Sequence, residues 1–313
     1  MGSRSDLVVA VVGQTATGKS HLALALAERF GGEVISCDST AVYRGIDIGT
    51  DKLAPEERRG IPHHLIDMVG PSEVYSAARY AADASAAIRD ISATGRLPIL
   101  AGGTGFYYRA LVRGLFPGPA RSDDLRRRLD RVADRRGVEA LHRWLTRVDA
   151  ESARRIQPRD RKRLVRALEV YLLTGRPLTA HFAQTASPIA GARVLTLGLT
   201  LDRTRLRERV VRRVDDQFAR GVVAEVDRLI AAGVPPTAHA FSGLVYRQIL
   251  EMRHGLRDER ATRDLIVQEN MRYARRQLLW FRKEPDVTWL GGAGEEAATI
   301  REAERVLASR VIG

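Results

Sequence analysis

The chain has one cysteine, Cys37, in 313 residues. That excludes an intrachain disulfide and any zinc site built on several thiolates, and it suits a reducing, cytoplasmic setting. No apolar run comes near the roughly 18 residues of a membrane-spanning helix, so no membrane association is expected. The polar start, residues 1–6, offers no signal-peptide apolar region. Internal repeats and low-complexity linkers are missing as well. Lysine is scarce: Lys19, Lys52, Lys162 and Lys283 are the only four among 51 basic residues. The positive charge is therefore arginine, and against 38 acids it leaves a net charge of +13. An excess of that size points to a polyanionic partner, nucleic acid first. The remaining composition, 44% apolar and 28% charged, is that of a soluble globular protein, and the length fits two domains.

What is present is organised around Gly13-Gln14-Thr15-Ala16-Thr17-Gly18-Lys19-Ser20. An uninterrupted β-branched run, residues 7–12, precedes it and predicts a buried strand. Leu22, Leu26 and Phe30 follow at helical spacing, and Gly31-Gly32 ends that helix. Strand, glycine loop and helix together make G-x-x-x-x-G-K-S a phosphate cradle. Successive backbone N–H groups and the helix N-terminus face one anion. Lys19 adds a point charge, and the Ser20 hydroxyl is placed to hold Mg²⁺. The loop does not say which phosphorylated compound it holds.

The pattern beyond the loop predicts an α/β fold: a P-loop NTPase-like parallel sheet flanked by helices, with an all-helical insertion. Residues 33–37 form a second strand ending at Asp38, and residues 96–101 a third ending in Gly102-Gly103-Thr104-Gly105. In a parallel sheet the carboxyl ends of the strands build the site, so these polar loops converge. Gly102-Gly103 stands where an ATP-using P-loop enzyme usually carries a Walker-B Asp. The adjacent His63 and His64 lack a third ligand at metal spacing and are read as packing or turn residues. Three segments are expected: a P-loop core over residues 1–117, a helical insertion over 118–190, and core completion with C-terminal helices over 191–313. In the insertion, Arg126, Arg163 and Arg166 stand in basic runs with few acids to neutralise them. After an apolar strand at residues 193–201, a helix carries Arg205, Arg209 and Arg213 four residues apart on one side. A long helix over residues 261–283 has Leu265, Tyr273, Leu278 and Phe281 as apolar anchors, and residues 287–290 form a last edge strand.

Taken together these segments resemble the tRNA dimethylallyltransferase (tRNA isopentenyltransferase) family. Matching stretches are residues 13–20, Asp38-Ser39, Tyr43-Arg44-Gly45-Ile46-Asp47-Ile48-Gly49-Thr50, Pro62-His63-His64-Leu65-Ile66-Asp67, Gly102-Gly103-Thr104-Gly105-Phe106-Tyr107, residues 163–169 and Trp280-Phe281-Arg282. The likeness covers almost the whole chain. The run from Tyr43 to Thr50 and the Gly-Gly-Thr-Gly loop are its most specific parts. Val245 departs from the Gly usual before Tyr-Arg-Gln, and Thr40-Ala41 from the residues common after Asp-Ser.

The resemblance implies transfer of the dimethylallyl group of dimethylallyl diphosphate to N6 of adenosine 37 in tRNA. Diphosphate, not ATP, then occupies the loop: Gly13, Gln14, Thr15, Ala16, Thr17, Gly18, Lys19 and Ser20, with Mg²⁺ at Ser20. Asp38 is the expected base, since an adenine N6 lone pair is delocalised and attacks poorly until a proton is taken. Thr104 is expected to hydrogen-bond near the reacting base or Asp38, and Arg209 and Arg213 are expected on the far side of the diphosphate. The tRNA anticodon stem-loop is expected to meet Asp38, Ser39, Thr40, Ala41 and Thr104, together with Arg126, Lys162, Arg163 and Arg166. Tyr43, Phe106 and Tyr107 are candidates to stack on extruded bases. A monomer is expected. The rival readings are a P-loop kinase of a small metabolite, an adenylate prenyltransferase, and a non-catalytic RNA-binding protein using the loop as a switch.

Overall fold

The computed structural model describes residues 6–312, so the polar start lies outside it except for Asp6. The chain runs β1 (Leu7–Gly13), α1 (Lys19–Phe30), β2 (Gly32–Ser36), β3 (His63–His64), α2 (Ala77–Ala93), β4 (Leu97–Ala101) and α3 (Gly105–Val112). Five helices follow: α4 (Asp123–Arg136), α5 (Val138–Val148), α6 (Ala150–Arg155), α7 (Arg161–Thr174) and α8 (Leu178–Phe182). Then come β5 (Arg193–Thr200), α9 (Arg203–Ala219), α10 (Val222–Ala231), α11 (Leu244–Arg253), α12 (Glu259–Phe281), β6 (Val287–Gly291) and α13 (Ala297–Ile312). The six strands form one sheet in the order β3-β2-β4-β1-β5-β6, with every pairing parallel.

β1 is central and buried along its whole length, which is why its sequence does not alternate apolar with polar. Val8, Ala10 and Val12 face one core, shared with residues of α2, α3 and α9–α12. Leu7, Val9 and Val11 face the other, where Leu22 and Leu26 of α1 and Leu307 of α13 pack. Burying each such leucine contributes about 1.5–3 kcal/mol, so covering both faces is what stabilises the sheet. Gly31 ends α1 in the left-handed conformation at φ 62°, its N–H bonded to Ala27 O.

The structure differs from the sequence expectation at several boundaries. His63-His64 is a two-residue edge strand, aligned on Val34 and Ile35 of β2. A segment that short has no readable period. α12 begins at Glu259, because Asp258 caps it by accepting from Ala261 N. The chain divides into two compact units, one comprising the chain up to Val112 and from Pro188 onward, the other Arg113–Ser187. Ile189 is buried in the sheet-side core, and Ser85 donates to Pro188 O. The second unit has a core of its own around Leu129, Leu141, Leu145, Leu164 and Leu168. No helix among the described residues is long and apolar enough to cross a membrane.

Candidate functional site

Residues 14–18 turn between β1 and α1 with Gly13 at φ 134° and Gly18 at φ 85°, conformations that side chains with a Cβ rarely adopt. The loop is held by its own polar groups. Gln14 O accepts from Thr17 Oγ1 (2.8 Å) and from Lys19 Nζ (2.6 Å). Thr15 N donates to Gln277 Oε1 of α12 (2.7 Å), and Gln277 Nε2 donates to Gly103 O of the second glycine loop (3.0 Å). Burial, reinforced by the neighbouring Arg213 charge, lowers Lys19 to about 8, and Asp38 pulls it partly back.

Arg209 and Arg213, one turn apart on α9, both reach the loop. Arg209 Nε donates to Ala16 O (2.6 Å), and its guanidinium pairs with Glu295. Arg213 donates to Thr15 Oγ1 (3.0 Å) and pairs with Asp51 (3.1 Å). Arg205, on the same side of α9, pairs with Glu296 instead.

Asp38 follows β2 at the carboxyl edge of the sheet. Its Oδ1 accepts from Thr40 N (2.8 Å) and Thr40 Oγ1 (2.6 Å), while Oδ2 has no hydrogen bond among the described residues. Thr40 thus fixes the carboxylate and leaves one oxygen to accept a proton. Thr104 Oγ1 accepts from Ser39 N (3.1 Å), so the second glycine loop holds the bend that carries Asp38. Cys37, buried beneath them, is pushed up to about 12 by burial, which keeps the thiol neutral.

Two cavities meet here. One of about 460 Å³ is lined by the phosphate loop, Asp38, Arg209 and Arg213. The other, about 280 Å³, is lined by Asp38, Ser39, Thr40, Tyr246 and Arg276. Thr15, Asp38, Arg213 and Tyr273 border both. An anion in the first cavity and a flat group in the second would therefore meet at Asp38.

The segment around Tyr43–Thr50 is fixed from below by Glu225 of α10. Its carboxylate accepts from Asp47 N (3.0 Å), Ile48 N (2.8 Å) and the Tyr246 hydroxyl (2.6 Å), and Tyr246 in turn accepts from Gly49 N (3.0 Å). Val245 is buried in the first turn of α11, so the residue that replaces the usual Gly is accommodated by packing.

Several sequence-predicted residues sit differently from expectation. Tyr43 and Tyr107 are core residues, 1% and 5% exposed, and do not present a stacking face. Tyr107 instead stacks on Tyr80 at 4.2 Å. Of the three aromatics only Phe106 is exposed. In the second unit, the arginines read as lacking acids have them. Glu169, fully buried, accepts from Arg126 Nε (2.9 Å), Arg126 Nη2 (2.8 Å), Arg166 Nη1 (2.7 Å) and Ser122 N (2.8 Å). Burial alone would raise its pKa; the two guanidiniums overcome that and hold it at about 2. Lys162 and Arg163 are exposed, Arg163 with Asp160 at 3.4 Å. His63 Nδ1 bonds Ile61 O and His64 Nε2 bonds Glu33. Among the described residues no cluster of three or more His, Cys, Asp or Glu is arranged to hold a metal.

Sequence reasoning missed Gln277, Asp51 and Glu295, and read Tyr273 as an apolar anchor. Tyr273 lines both cavities, and burial, then the Asp38 charge, push its phenol up to about 12. The available signal was spacing. Asn270, Tyr273 and Gln277 recur at three- and four-residue steps, a polar stripe on one face of an otherwise amphipathic helix.

Residues 41–284 match the family model described as IPP transferase. The tRNA dimethylallyltransferase of Koribacter versatilis is 44% identical, over 96% of this chain and 98% of its own length. That of Solibacter usitatus is 48% identical over 98% and 99%. Among solved structures, the tRNA isopentenylpyrophosphate transferase of Bacillus halodurans superposes with a TM-score of 0.73 at 36% identity, covering 98% of this chain and 97% of that one. A eukaryotic dimethylallyltransferase studied acting on tRNA gives a TM-score of 0.80 at 27% identity, covering 97% and 78%.

Proposed function

Since the chain belongs to the IPP transferase family, we propose that it transfers the dimethylallyl group of dimethylallyl diphosphate to N6 of adenosine 37 in tRNA. N6 attacks C1 of the allylic group, the C1–O bond to diphosphate breaks with its electron pair leaving on oxygen, and the N6 proton passes to Asp38. Oδ2 of Asp38 is the oxygen that takes it, because Thr40 occupies the other. The diphosphate lies in the larger of the two joined cavities. Loop amides, Lys19 and Arg213 spread the charge that develops on it, with Arg209 at the loop's outer edge. Thr104 keeps the Asp38 bend in place through Ser39.

The observation that carries this reading is that Asp38 and Arg213 border both cavities, so one carboxylate faces the nucleophile while one guanidinium faces the leaving group. A kinase is disfavoured by the same geometry. At the Walker-B position a Cβ on Gly102 would stand 2.1 Å from Cys37 O, which leaves no room for the metal-binding acid. The donor set still fits Mg²⁺ of a different kind. That ion keeps several waters and takes one or two protein oxygens plus substrate phosphates, and Ser20 is exposed in the first turn of α1 beside the cavity. Once bound it supplies charge neutralisation on the departing diphosphate.

The adenosine must leave its stack to reach Asp38, so the RNA is held elsewhere by its backbone. Ser39 and Thr40 line the acceptor cavity, and Ala41 lines the neighbouring diphosphate cavity. In the second unit Lys162 and Arg163 supply exposed cations, and Arg126 and Arg166 present edges held rigid by Glu169. The test is incubation of the purified protein with labelled dimethylallyl diphosphate and unmodified tRNA, followed by nucleoside mass analysis. A gain of one prenyl unit on adenosine is expected. Transfer of the ATP γ-phosphoryl group with no use of the isoprenoid donor would overturn the reading.

A further inference from the structure

The largest cavity described, about 1040 Å³, is not at the reaction centre. It is a groove between α9 and α12, floored by apolar side chains including Leu206, Val214 and Met271. Arg203 and Arg207 of α9 and Arg260, Arg272 and Arg275 of α12 line it. All five are exposed. Among the described residues none of their guanidiniums has a hydrogen bond or an ion pair. That sets them apart from the other arginine of the groove, Arg263, which pairs with Asp215 (3.1 Å) and Glu259 (2.7 Å) and lies over the Phe218 ring at 4.1 Å. Asp215 and Asp264 are the only acids in the lining.

The Arg263–Asp215 pair joins the start of α12 to the end of α9, while Gln277 near the end of α12 and Leu201 just before α9 bond adjacent residues of the phosphate loop, so the two helices run antiparallel. Arg272 and Arg275, further along α12, therefore come level with Arg203 and Arg207 on the facing wall. At about 1.5 Å per residue, Arg260 and Arg275 are about 22 Å apart along the axis. Cations on both walls over that length exceed what one diphosphate can neutralise, and match a chain of phosphates. α12 also divides its faces. Asn270, Tyr273 and Arg276 border the acceptor cavity, whereas Arg272 and Arg275 border the groove.

We propose that this groove docks the phosphate backbone of the tRNA substrate at a stretch away from the reacting base; the proposal rests on the function assigned above. The five free guanidiniums position the RNA without reading its sequence.

The experiment is tRNA binding by the full chain over a range of salt concentrations, comparing wild type with Arg272→Glu/Arg275→Glu on one wall and Arg203→Glu/Arg207→Glu on the other. Each pair should weaken tRNA binding about tenfold or more at about 0.1 M salt. Each should also flatten the dependence of log K on log salt by about 1.4–1.8, the loss of two phosphate contacts. Binding of inorganic diphosphate should stay at the wild-type value. Wild-type tRNA affinity and salt slope in both pairs would overturn the groove while leaving the transfer reaction intact. So would a parallel loss of diphosphate binding in folded variants, which would place the effect of these arginines at the phosphate loop rather than on the RNA. If wild-type protein binds tRNA in the predicted manner but transfers no prenyl group, the reaction assignment falls and the groove stands. If it binds no tRNA, both fall.

Discussion

The two glycine-rich loops at the carboxyl edge of the sheet both need the missing Cβ, but only one of them also needs a glycine conformation. In the first, Gly13 and Gly18 have φ of 134° and 85°, and the residue supplies a backbone conformation as well as space, since a Cβ would meet Leu199 O at 2.3 Å and Glu295 Oε2 at 2.2 Å. In the second, none of Gly102, Gly103 and Gly105 has a positive φ. There the residue supplies absence of volume. A Cβ would meet Cys37 O at 2.1 Å, Gln277 Nε2 at 2.1 Å and the Trp280 ring at 2.2 Å, respectively. The first loop turns amides toward an anion. The second lets β4, the Asp38 bend and α12 approach closely enough to aim a carboxylate. Grip and aim are thus separate functions of two similar-looking segments.

That division is most severely tested by Asp38→Ala. Turnover should fall by about 10²–10⁴, the usual worth of a positioned base, while the affinities for diphosphate and tRNA hold. A matching loss of diphosphate affinity would merge the two functions. Next in size is a pair of substitutions in the second loop. Gly102→Ala meets backbone that cannot yield and should cost about 2–4 kcal/mol in urea unfolding. Gly103→Ala meets the end of the Gln277 side chain, which can move. It should cost about 1 kcal/mol of stability and appear instead as weaker diphosphate binding, because Gln277 then releases Thr15 N. Equal stability losses would show that the difference between backbone and side-chain contact does not matter here.

A smaller effect concerns the first loop alone. The Lys19 ammonium titrates near 8, so its attraction for diphosphate is complete below that pH and declines as pH rises through it. Bound diphosphate favours the charged form and moves the decline upward. Titration calorimetry from pH 7 to 9.5 should show affinity constant at first and then falling, and Lys19→Met should remove the dependence. Smallest of all, Thr40→Val removes one of two hydrogen bonds to Asp38 Oδ1 and should lower kcat about three- to tenfold with little change in diphosphate affinity.

Much of this arrangement is legible in the sequence. The phosphate loop is a local object, and its strand, turn and helix all lie within residues 7–30. The placement of Asp38 and Thr104 follows from parallel topology alone. What could not be read was made by contacts remote in sequence. Thr15 and Gln277 are 262 positions apart, and nothing near either one announces the other. Glu169 was visible within its motif, yet a count of charges along the chain could not show that it sits buried under two arginines from different helices. β3 was too short to have a period. Tyr43 and Tyr107 are aromatic residues beside a binding loop, and only three-dimensional packing shows that they face inward.

The Gln277 side chain binds a donor in one loop with its oxygen and an acceptor in the other with its nitrogen. An amide has one plane, and rotating it to suit either partner spoils the other. The two loops are therefore mechanically coupled through a single strut rooted in α12. Evolution or engineering cannot retune the anchorage of the leaving group without also disturbing the direction in which the base points.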